Sequence, residues 1–161
     1  MAVNNKEIIR RLYKEVWNER KLHVIDELIS KSHALNDPTT EGSSVGPAAY
    51  REHMQRLISA FPDLRFLVED HICEKDKVVA VWCITGTHKR EAFGIAPTNR
   101  KISVSGITVH QLANGKILDS QAAWDVLGVM VQLGVARPIK PENPRHFCPH
   151  PLDSSQPTSI G

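Results

Sequence analysis

The chain has 161 residues, of which 41% are hydrophobic and 24% are charged, and its formal net charge is +2. This size and composition predict one globular domain with a substantial core. Charges of both signs are interspersed, so no basic stripe marks a nucleic-acid-binding surface, and no apolar run approaches the ~20 residues that cross a membrane. The charged, helix-forming N-terminal segment is unlike a signal peptide, and we therefore expect a cytoplasmic protein.

Two amphipathic helices are predicted first. From Asn5 to Glu19, and more briefly from Leu22 to Ser30, apolar residues recur every three or four positions. This spacing places them on one side of a helix, which is typical of helices that pack against a sheet.

A loop and a third helix follow. The segment from Lys31 to Pro47 is rich in Asp, Gly and Pro, which favour turns, and a short strand over His33–Asn36 enters it. The third helix is predicted from Pro47 to Ala60, since proline suits the first helical turn. Tyr50 and Met54 lie on its apolar face.

Four long antiparallel strands and a closing helix complete the predicted domain. The strands are Leu64–Cys73, Val78–His88, Ile102–Leu112 and Ile117–Trp124, and the helix ends at Gly134. Helices and strands that are segregated along the chain predict an α+β fold, a curved antiparallel sheet wrapped around the N-terminal helices with an internal pocket. Residues 135–161 contain six of the ten prolines, which predicts an extended or disordered tail.

Several short motifs occur in an order and spacing that resemble the SnoaL-like polyketide cyclase family, over roughly Asn5 to Gly134. They are Asn36-Asp37-Pro38, Phe61-Pro62-Asp63-Leu64, Gly86-Thr87-His88, Gly94–Arg100, Asn114–Ile117, Trp124-Asp125 and Gln132–Gly134. The resemblance implies a cone-shaped α+β barrel with a deep pocket, which is usually a homodimer. It also implies an enzyme of secondary metabolism without cofactor or metal, acting on an apolar, ring-containing small molecule.

The family's catalytic pair is absent from this sequence. In the cyclases that define the family, an aspartate in the last strand removes a proton and a histidine on the preceding strand helps to hold an oxyanion. An alignment through Asn114-Gly115 places Ala122 at the aspartate position and Thr108 at the histidine position. Asn36 corresponds to the family's pocket asparagine. Since alanine cannot accept a proton, any chemistry must use other residues.

The register of the last hairpin decides which side chains face the pocket. A two-residue Asn-Gly turn sets His110 opposite Asp119, whereas a turn with a glycine bulge sets Thr108 opposite Ser120. In both registers Thr108 and His110 share a face. His110 is therefore a candidate acid or base, although a histidine at a strand end can equally be solvated or simply hydrogen-bonded.

Asp37 is the other candidate base, because a carboxylate at an apolar pocket mouth is made more basic by desolvation. Its alternative role is an Asx turn before the proline that follows it. Asn36 and Thr108 are candidates for holding an oxyanion, and His33 could lie at the same mouth or on a solvated loop. Asp125 is either a site residue or the N-cap of the closing helix.

Five further residues are predicted to form the pocket wall, with plain core packing as the alternative for each: Tyr50, Met54, Trp82, His88 and Trp124. His88 could instead order the loop that follows it. These features favour a cofactor-independent isomerase or cyclase that moves a proton on a polyketide or terpenoid carbonyl compound. The alternatives are a non-catalytic binding protein and an epoxide hydrolase, which would need a carboxylate pair with Arg65 or Arg100 between them.

Overall fold

The computed structural model describes residues 4–40 and 44–138. Its helices are α1 (Asn5–Arg11), which continues as a π-helical segment (Leu12–Asn18), α2 (Val24–Leu28), α3 (Gly46–Ala60) and α4 (Val126–Leu133). Its strands are β1 (Ile29–Asn36), β2 (Ser44–Val45), β3 (Arg65–Glu74), β4 (Lys77–Thr87), β5 (Lys101–Ala113) and β6 (Lys116–Trp124).

The strands form one sheet in the order β2-β1-β6-β5-β4-β3. Strands β3 to β6 pair antiparallel with their neighbours, whereas β1 runs parallel to β6. Aromatic contacts join the first helical segment to the inner face of the sheet, with ring centroids 5.2 Å apart for Tyr13 and Phe66 and 4.8 Å apart for Trp17 and Phe66. The predicted α+β class, with helices packed on a curved sheet, is confirmed.

The boundary between the second helix and the first strand differs from the prediction. Helix α2 ends at Leu28 rather than at Ser30, and the strand expected over His33–Asn36 begins earlier, at Ile29. The backbone of Ile29 is extended, and Ile29 pairs with Ile117 of β6. The apolar spacing at Ile29 therefore reflects burial in the sheet rather than continuation of a helix.

The turn between β5 and β6 has the two-residue form. Asn114 and Gly115 have φ angles of 50° and 75° and occupy the left-handed positions that such a turn requires. Ala113 consequently pairs with Lys116.

A bulge at Leu118 then shifts the pairing by one residue. Beyond it, His110 lies opposite Ser120 and Thr108 lies opposite Ala122. Both predicted pairings, His110 with Asp119 and Thr108 with Ser120, are therefore wrong, because the tight turn and the bulge occur together. Thr108 and Ala122, which stand at the family's two catalytic positions, are therefore direct neighbours on one face of the sheet.

Close packing of β4 on β5 depends on one glycine. A side-chain carbon added to Gly106 would lie 2.2 Å from the Trp82 ring. The indole therefore lies directly against the β5 backbone, in a position that other residues at 106 would block.

The described part of the chain ends shortly after α4. Gly134 has a φ of 83° and terminates α4, as predicted from the sequence. Most of the predicted tail, residues 139–161, lies outside the described residues. Within residues 4–40 and 44–138, no helix is both long enough and apolar enough to cross a membrane.

Candidate active site

A cavity of about 80 Å³ lies between the helices and the inner face of the sheet. Its wall is mainly apolar and includes the aromatic residues Trp17, Tyr50, Phe66, Trp82, Phe93 and Trp124. Such a wall suits a ligand with apolar rings, while the few polar side chains fix its orientation.

Five buried polar residues form a group that we call the polar chain, and the last four of them are joined by hydrogen bonds: Thr108, Tyr13, His110, Ser120 and His33. The Tyr13 hydroxyl is 3.1 Å from Nε2 of His110, whose Nδ1 is 2.8 Å from Oγ of Ser120. The same Oγ is 3.0 Å from Nε2 of His33. Thr108 lies near Tyr13. All five are buried, and all except His33 line the cavity.

The bulge in β6 is what assembles this chain, because it brings Ser120 opposite His110. Trp82 adds a further hydrogen bond by donating from Nε1 to Oγ1 of Thr108 at 2.9 Å. The side chains come from the first helical segment and from three strands, so their positions depend on the whole core.

The polar chain is uncharged near neutral pH. Burial lowers the pKa of His110 to about 3, with smaller effects from His33 and His71, and burial lowers the pKa of His33 to about 4. Burial also raises the pKa of Tyr13, against a smaller opposing effect of Thr108. Because a group with so low a pKa is a weak base, His110 is poorly suited to the general-base role predicted for it.

Asp37 lies at the outer end of the cavity and also forms the Asx turn that was its alternative role, while its role as a base stays a prediction. Its Oδ2 accepts a hydrogen bond from Nε1 of Trp124 at 2.9 Å. Its Oδ1 accepts from the backbone N–H of Thr39 at 2.8 Å and from the Thr39 hydroxyl at 2.5 Å, which closes an Asx turn. The turn therefore holds the carboxylate in the cavity wall.

His53 of α3 lies beside this carboxylate and lines the same cavity. Burial lowers its pKa, Asp37 raises it, and Arg56 lowers it further. The ring stands edge-on to Trp17 with centroids 6.4 Å apart. Sequence reasoning missed His53, although it lies three residues after Tyr50 on the predicted apolar face of the helix.

Three other predicted site residues lie elsewhere. Asn36 is exposed and its Nδ2 is 3.5 Å from Oδ1 of Asp119, because strand alternation turns it away from the cavity. His33 is fully buried in β1 rather than at the mouth. Asp125 is exposed and caps α4, accepting from the backbone N–H of Gly128 at 2.7 Å.

Of the five predicted wall residues, Tyr50, Trp82 and Trp124 line the cavity, whereas Met54 and His88 do not. Met54 is fully buried in the core. Nδ1 of His88 is 3.1 Å from the Thr98 hydroxyl and accepts from the Thr98 backbone N–H, so His88 orders the loop before β5.

Sequence reasoning also missed Tyr13 and Ser120 as site residues. Tyr13 was visible only as part of a helical apolar stripe. Ser120 precedes Ala122 by two residues, so strand alternation places both side chains on the same face. This spacing could have identified Ser120 as a pocket residue. Its partnership with His110 depended on the bulge.

The residues needed for epoxide hydrolysis are not together. Among the described residues, Asp37 is the only carboxylate that lines the cavity, and neither Arg65 nor Arg100 lines it. In the described ranges, no group of three or more His, Cys, Asp or Glu side chains is arranged to hold a metal ion.

Comparison with known proteins gives the same fold. A sequence model of the SnoaL-like polyketide cyclase family matches residues 7–133. Nogalonic acid methyl ester cyclase from Streptomyces nogalater is 28% identical over 120 residues, which cover 73% of this chain and 89% of the relative.

Two solved structures have a similar fold. A candidate polyketide cyclase from Acidithiobacillus ferrooxidans is 32% identical with a TM-score of 0.73, and the match covers 85% of this chain and 100% of that one. A candidate SnoaL-like polyketide cyclase from Jannaschia sp. CCS1 is 25% identical with a TM-score of 0.76, and the match covers 83% of this chain and 93% of that one.

Proposed function

The chain belongs to the SnoaL-like polyketide cyclase family, and we propose that it is a cofactor-independent enzyme of secondary metabolism that moves a proton on a carbonyl compound. The substrate is a ring-containing polyketide or terpenoid intermediate, and the reaction is an isomerisation or a cyclisation. The aromatic cavity wall supports an apolar substrate. The relative named as a cyclase of nogalonic acid methyl ester supports the polyketide class.

The observation that carries this proposal is the position of the Asp37 carboxylate in the cavity wall. A carboxylate has about four lone-pair sites. The two bonds from Thr39 occupy Oδ1, and Trp124 occupies one site of Oδ2. One site on Oδ2 therefore stays open to accept a proton.

In the proposed reaction Asp37 accepts a proton from the carbon next to the substrate carbonyl. The electron pair of that C–H bond moves to the carbonyl oxygen and forms an enolate. In an isomerisation of an unsaturated ketone, Asp37 returns the proton to a different carbon of the conjugated enolate. In a cyclisation, the enolate carbon attacks a second carbonyl, and the alkoxide that forms takes the proton from Asp37. His110 is not proposed as the base, because both of its ring nitrogens are hydrogen-bonded and burial disfavours the charge that the ring would gain with a proton.

The test uses β-tetralone, a bicyclic ketone, in heavy water. The enzyme is expected to accelerate exchange of the protons next to the carbonyl, followed by proton NMR. Asp37→Asn should slow the catalysed exchange at least ~100-fold, since a general base contributes about 100- to 10,000-fold. Asp125→Asn is the matched control, because asparagine also caps helices and Asp125 lies outside the cavity.

Two results would contradict the proposal. Full exchange activity in the Asp37→Asn variant would show that Asp37 is not the catalytic base. Binding of β-tetralone without any catalysed exchange would favour the alternative of a non-catalytic binding protein, which Thr108 and Ala122 at the family's catalytic positions support.

We also propose that the protein is a homodimer. Leu67, Ile72 and Ile107 lie on the outer face of the sheet with 54%, 57% and 46% of their surface exposed. Three exposed apolar residues on one face favour contact with a second copy. The dimer is expected in light scattering and should dissociate in Ile107→Glu. A monomeric wild-type protein would contradict the proposed dimer.

The cytoplasmic location of the protein stays a prediction from the sequence.

A further inference from the structure

A second pocket, of about 440 Å³, lies beside the outer end of the cavity. Three residues, His53, Leu57 and Phe93, line both spaces, so the second pocket continues the cavity outward. The cavity itself is much smaller, at about 80 Å³. A ring compound that fills the cavity therefore extends any larger substituent into the second pocket.

Two of the elements that build this pocket are already fixed by the fold. Helix α3 contributes Arg56 and Ser59 to its wall. The Asx turn of Asp37 contributes Thr39 and Thr40, whose hydroxyls bond back to that turn. The polar wall on this side is therefore held in place before any ligand binds.

The third element is a tight turn in the loop before β5. Ala92 and Ile95 exchange two backbone hydrogen bonds, of 3.1 and 2.8 Å. Between them, Phe93 and Gly94 have φ angles of 55° and 72°, which are the left-handed angles of a two-residue turn. This turn holds the ring of Phe93 and the preceding Glu91 at the edge of the second pocket.

Three polar side chains of the second pocket have unused hydrogen-bonding capacity. Within residues 4–40 and 44–138, the side chains of Arg56, Ser59 and Glu91 form no hydrogen bond or ion pair with one another or with other residues. A guanidinium only donates, a carboxylate only accepts, and a hydroxyl does both. A ligand that satisfies all three must therefore accept and donate hydrogen bonds.

The charges of the second pocket favour a neutral ligand. Arg56 and Glu91 carry opposite charges, and burial lowers the pKa of His53, which favours its neutral form near pH 7. An anionic group would be attracted by Arg56 but repelled by Glu91, and a cationic group would meet the reverse. A hydroxyl group can accept from the guanidinium or donate to the carboxylate, and hydrogen bonds to charged groups are the stronger kind.

We propose that the second pocket is a subsite for a substituent with neighbouring hydroxyl groups, which Arg56 and Glu91 hold while the attached ring lies in the cavity. The inference rests on the proposed function and extends its substrate to a ring compound with a hydroxylated arm. Leu57 and Phe93 supply apolar surface for the C–H groups of that arm. The arm is either an attached sugar or a hydroxylated chain, and the experiment separates these two sources.

Four ligands that share one phenyl ring are compared by calorimetry on the wild-type protein. Anisole has no hydroxyl group, the phenyl ether of glycerol has an open-chain diol, phenyl glucoside has a sugar, and phenoxyacetate has an anionic group. The glycerol ether or the glucoside is expected to bind at least about tenfold more tightly than anisole, because its hydroxyls bond to charged partners.

The tighter of the two hydroxylated ligands identifies the source of the arm. Tighter binding of the glucoside assigns a sugar, and tighter binding of the glycerol ether assigns a hydroxylated chain. A preference below tenfold over anisole for both ligands would overturn the inference. Binding of phenoxyacetate more tightly than both would also overturn it, because the pocket would then be an anion site.

Arg56→Met and Glu91→Met remove the two charged partners and keep side chains of similar length. Each variant is expected to reduce the preference over anisole about fivefold. Glu52→Met is the matched control with an unchanged preference, because Glu52 is exposed on the same helix and lines neither space. All three positions are exposed, so the variants should fold. A full preference in both pocket variants would contradict the proposed subsite.

Binding preference and proton exchange are separate readouts. Loss of β-tetralone exchange with a retained preference for the hydroxylated ligands would contradict only the proposed function. Catalysed exchange without that preference would contradict only the hydroxyl subsite.

Discussion

The two ends of the cavity hold their polar groups in opposite ways. At the inner end the polar chain is buried and neutral, and its members hydrogen-bond one another. At the outer end the Asp37 carboxylate is half-buried and is held by a turn and by Trp124. The groups that are neutral near pH 7 lie deepest, and the carboxylate lies where water can solvate it.

This difference indicates where substitutions should matter for stability and where for chemistry. A buried polar group that loses its partner has no water to replace it, so damage at the inner end should destabilise the fold. A partner lost at the outer end can be replaced by water, so damage there should affect reactivity more than stability. The following predictions test that contrast.

The largest effect is expected from Gly106→Ala. The added carbon would displace the Trp82 ring and break the hydrogen bond from Trp82 to Thr108. We therefore expect the free energy of unfolding to fall by about 4 kcal/mol. Gly94→Ala is the control, because nothing lies within 4 Å of that position and only its φ of 72° is strained. Its loss should be about 1 kcal/mol. Equal losses in urea denaturation would contradict the tight packing at Gly106.

Ser120→Ala should lower the free energy of unfolding by about 3 kcal/mol. It leaves Nδ1 of His110 and Nε2 of His33 without a partner, and each unpaired buried group costs about 1–3 kcal/mol. Thr39→Ala at the outer end should lower it by less than about 1 kcal/mol, since water can replace the lost hydroxyl. If the two variants lose the same stability, the contrast between the two ends is wrong.

Acid should destabilise the inner end specifically. The folded-state pKa of His33 is about 4, and an unfolded histidine has a pKa of about 6.5, so the unfolded chain binds more protons between these values. Stability from His33 is therefore complete above about pH 6.5 and falls as the pH drops towards 4. The loss at pH 5 is about 2 kcal/mol for this residue.

His33→Asn should flatten this pH dependence, measured as the free energy of unfolding between pH 7 and pH 5. His23→Asn is the control, because His23 is exposed, and its pH profile should match that of the wild-type protein. An unchanged profile in His33→Asn would mean that His33 is not buried as a neutral group.

A small effect on stability is also expected from Trp124→Phe at the outer end. The variant removes the donor to Oδ2 of Asp37 but keeps an aromatic ring beside Phe93, so the loss should be about 1 kcal/mol. Exchange of β-tetralone should slow about tenfold, because the carboxylate is less well oriented. A stability loss as large as that of Ser120→Ala would contradict the outer position of Asp37.

Much of the fold follows from the sequence because its signals are local. Alternating apolar residues predict the four long strands, and Asn114-Gly115 predicts the last turn. Asp125 is a predicted alternative for the N-cap of the closing helix. The site could be predicted only in part. The two predicted bases, Asp37 and His110, both line the cavity. The bulge at Leu118 could not be predicted, because no local sequence pattern marks it. That bulge places His110 opposite Ser120 rather than Asp119.

That single extra residue has a consequence for how the cavity could evolve. With regular pairing throughout β6, the carboxylate of Asp119 would lie opposite His110 and would favour a buried ion pair. The bulge selects a serine instead and keeps the inner end of the cavity free of charge. A one-residue change in strand register can therefore convert an uncharged cavity end into one that holds a charged pair, without any new amino acid in the strand.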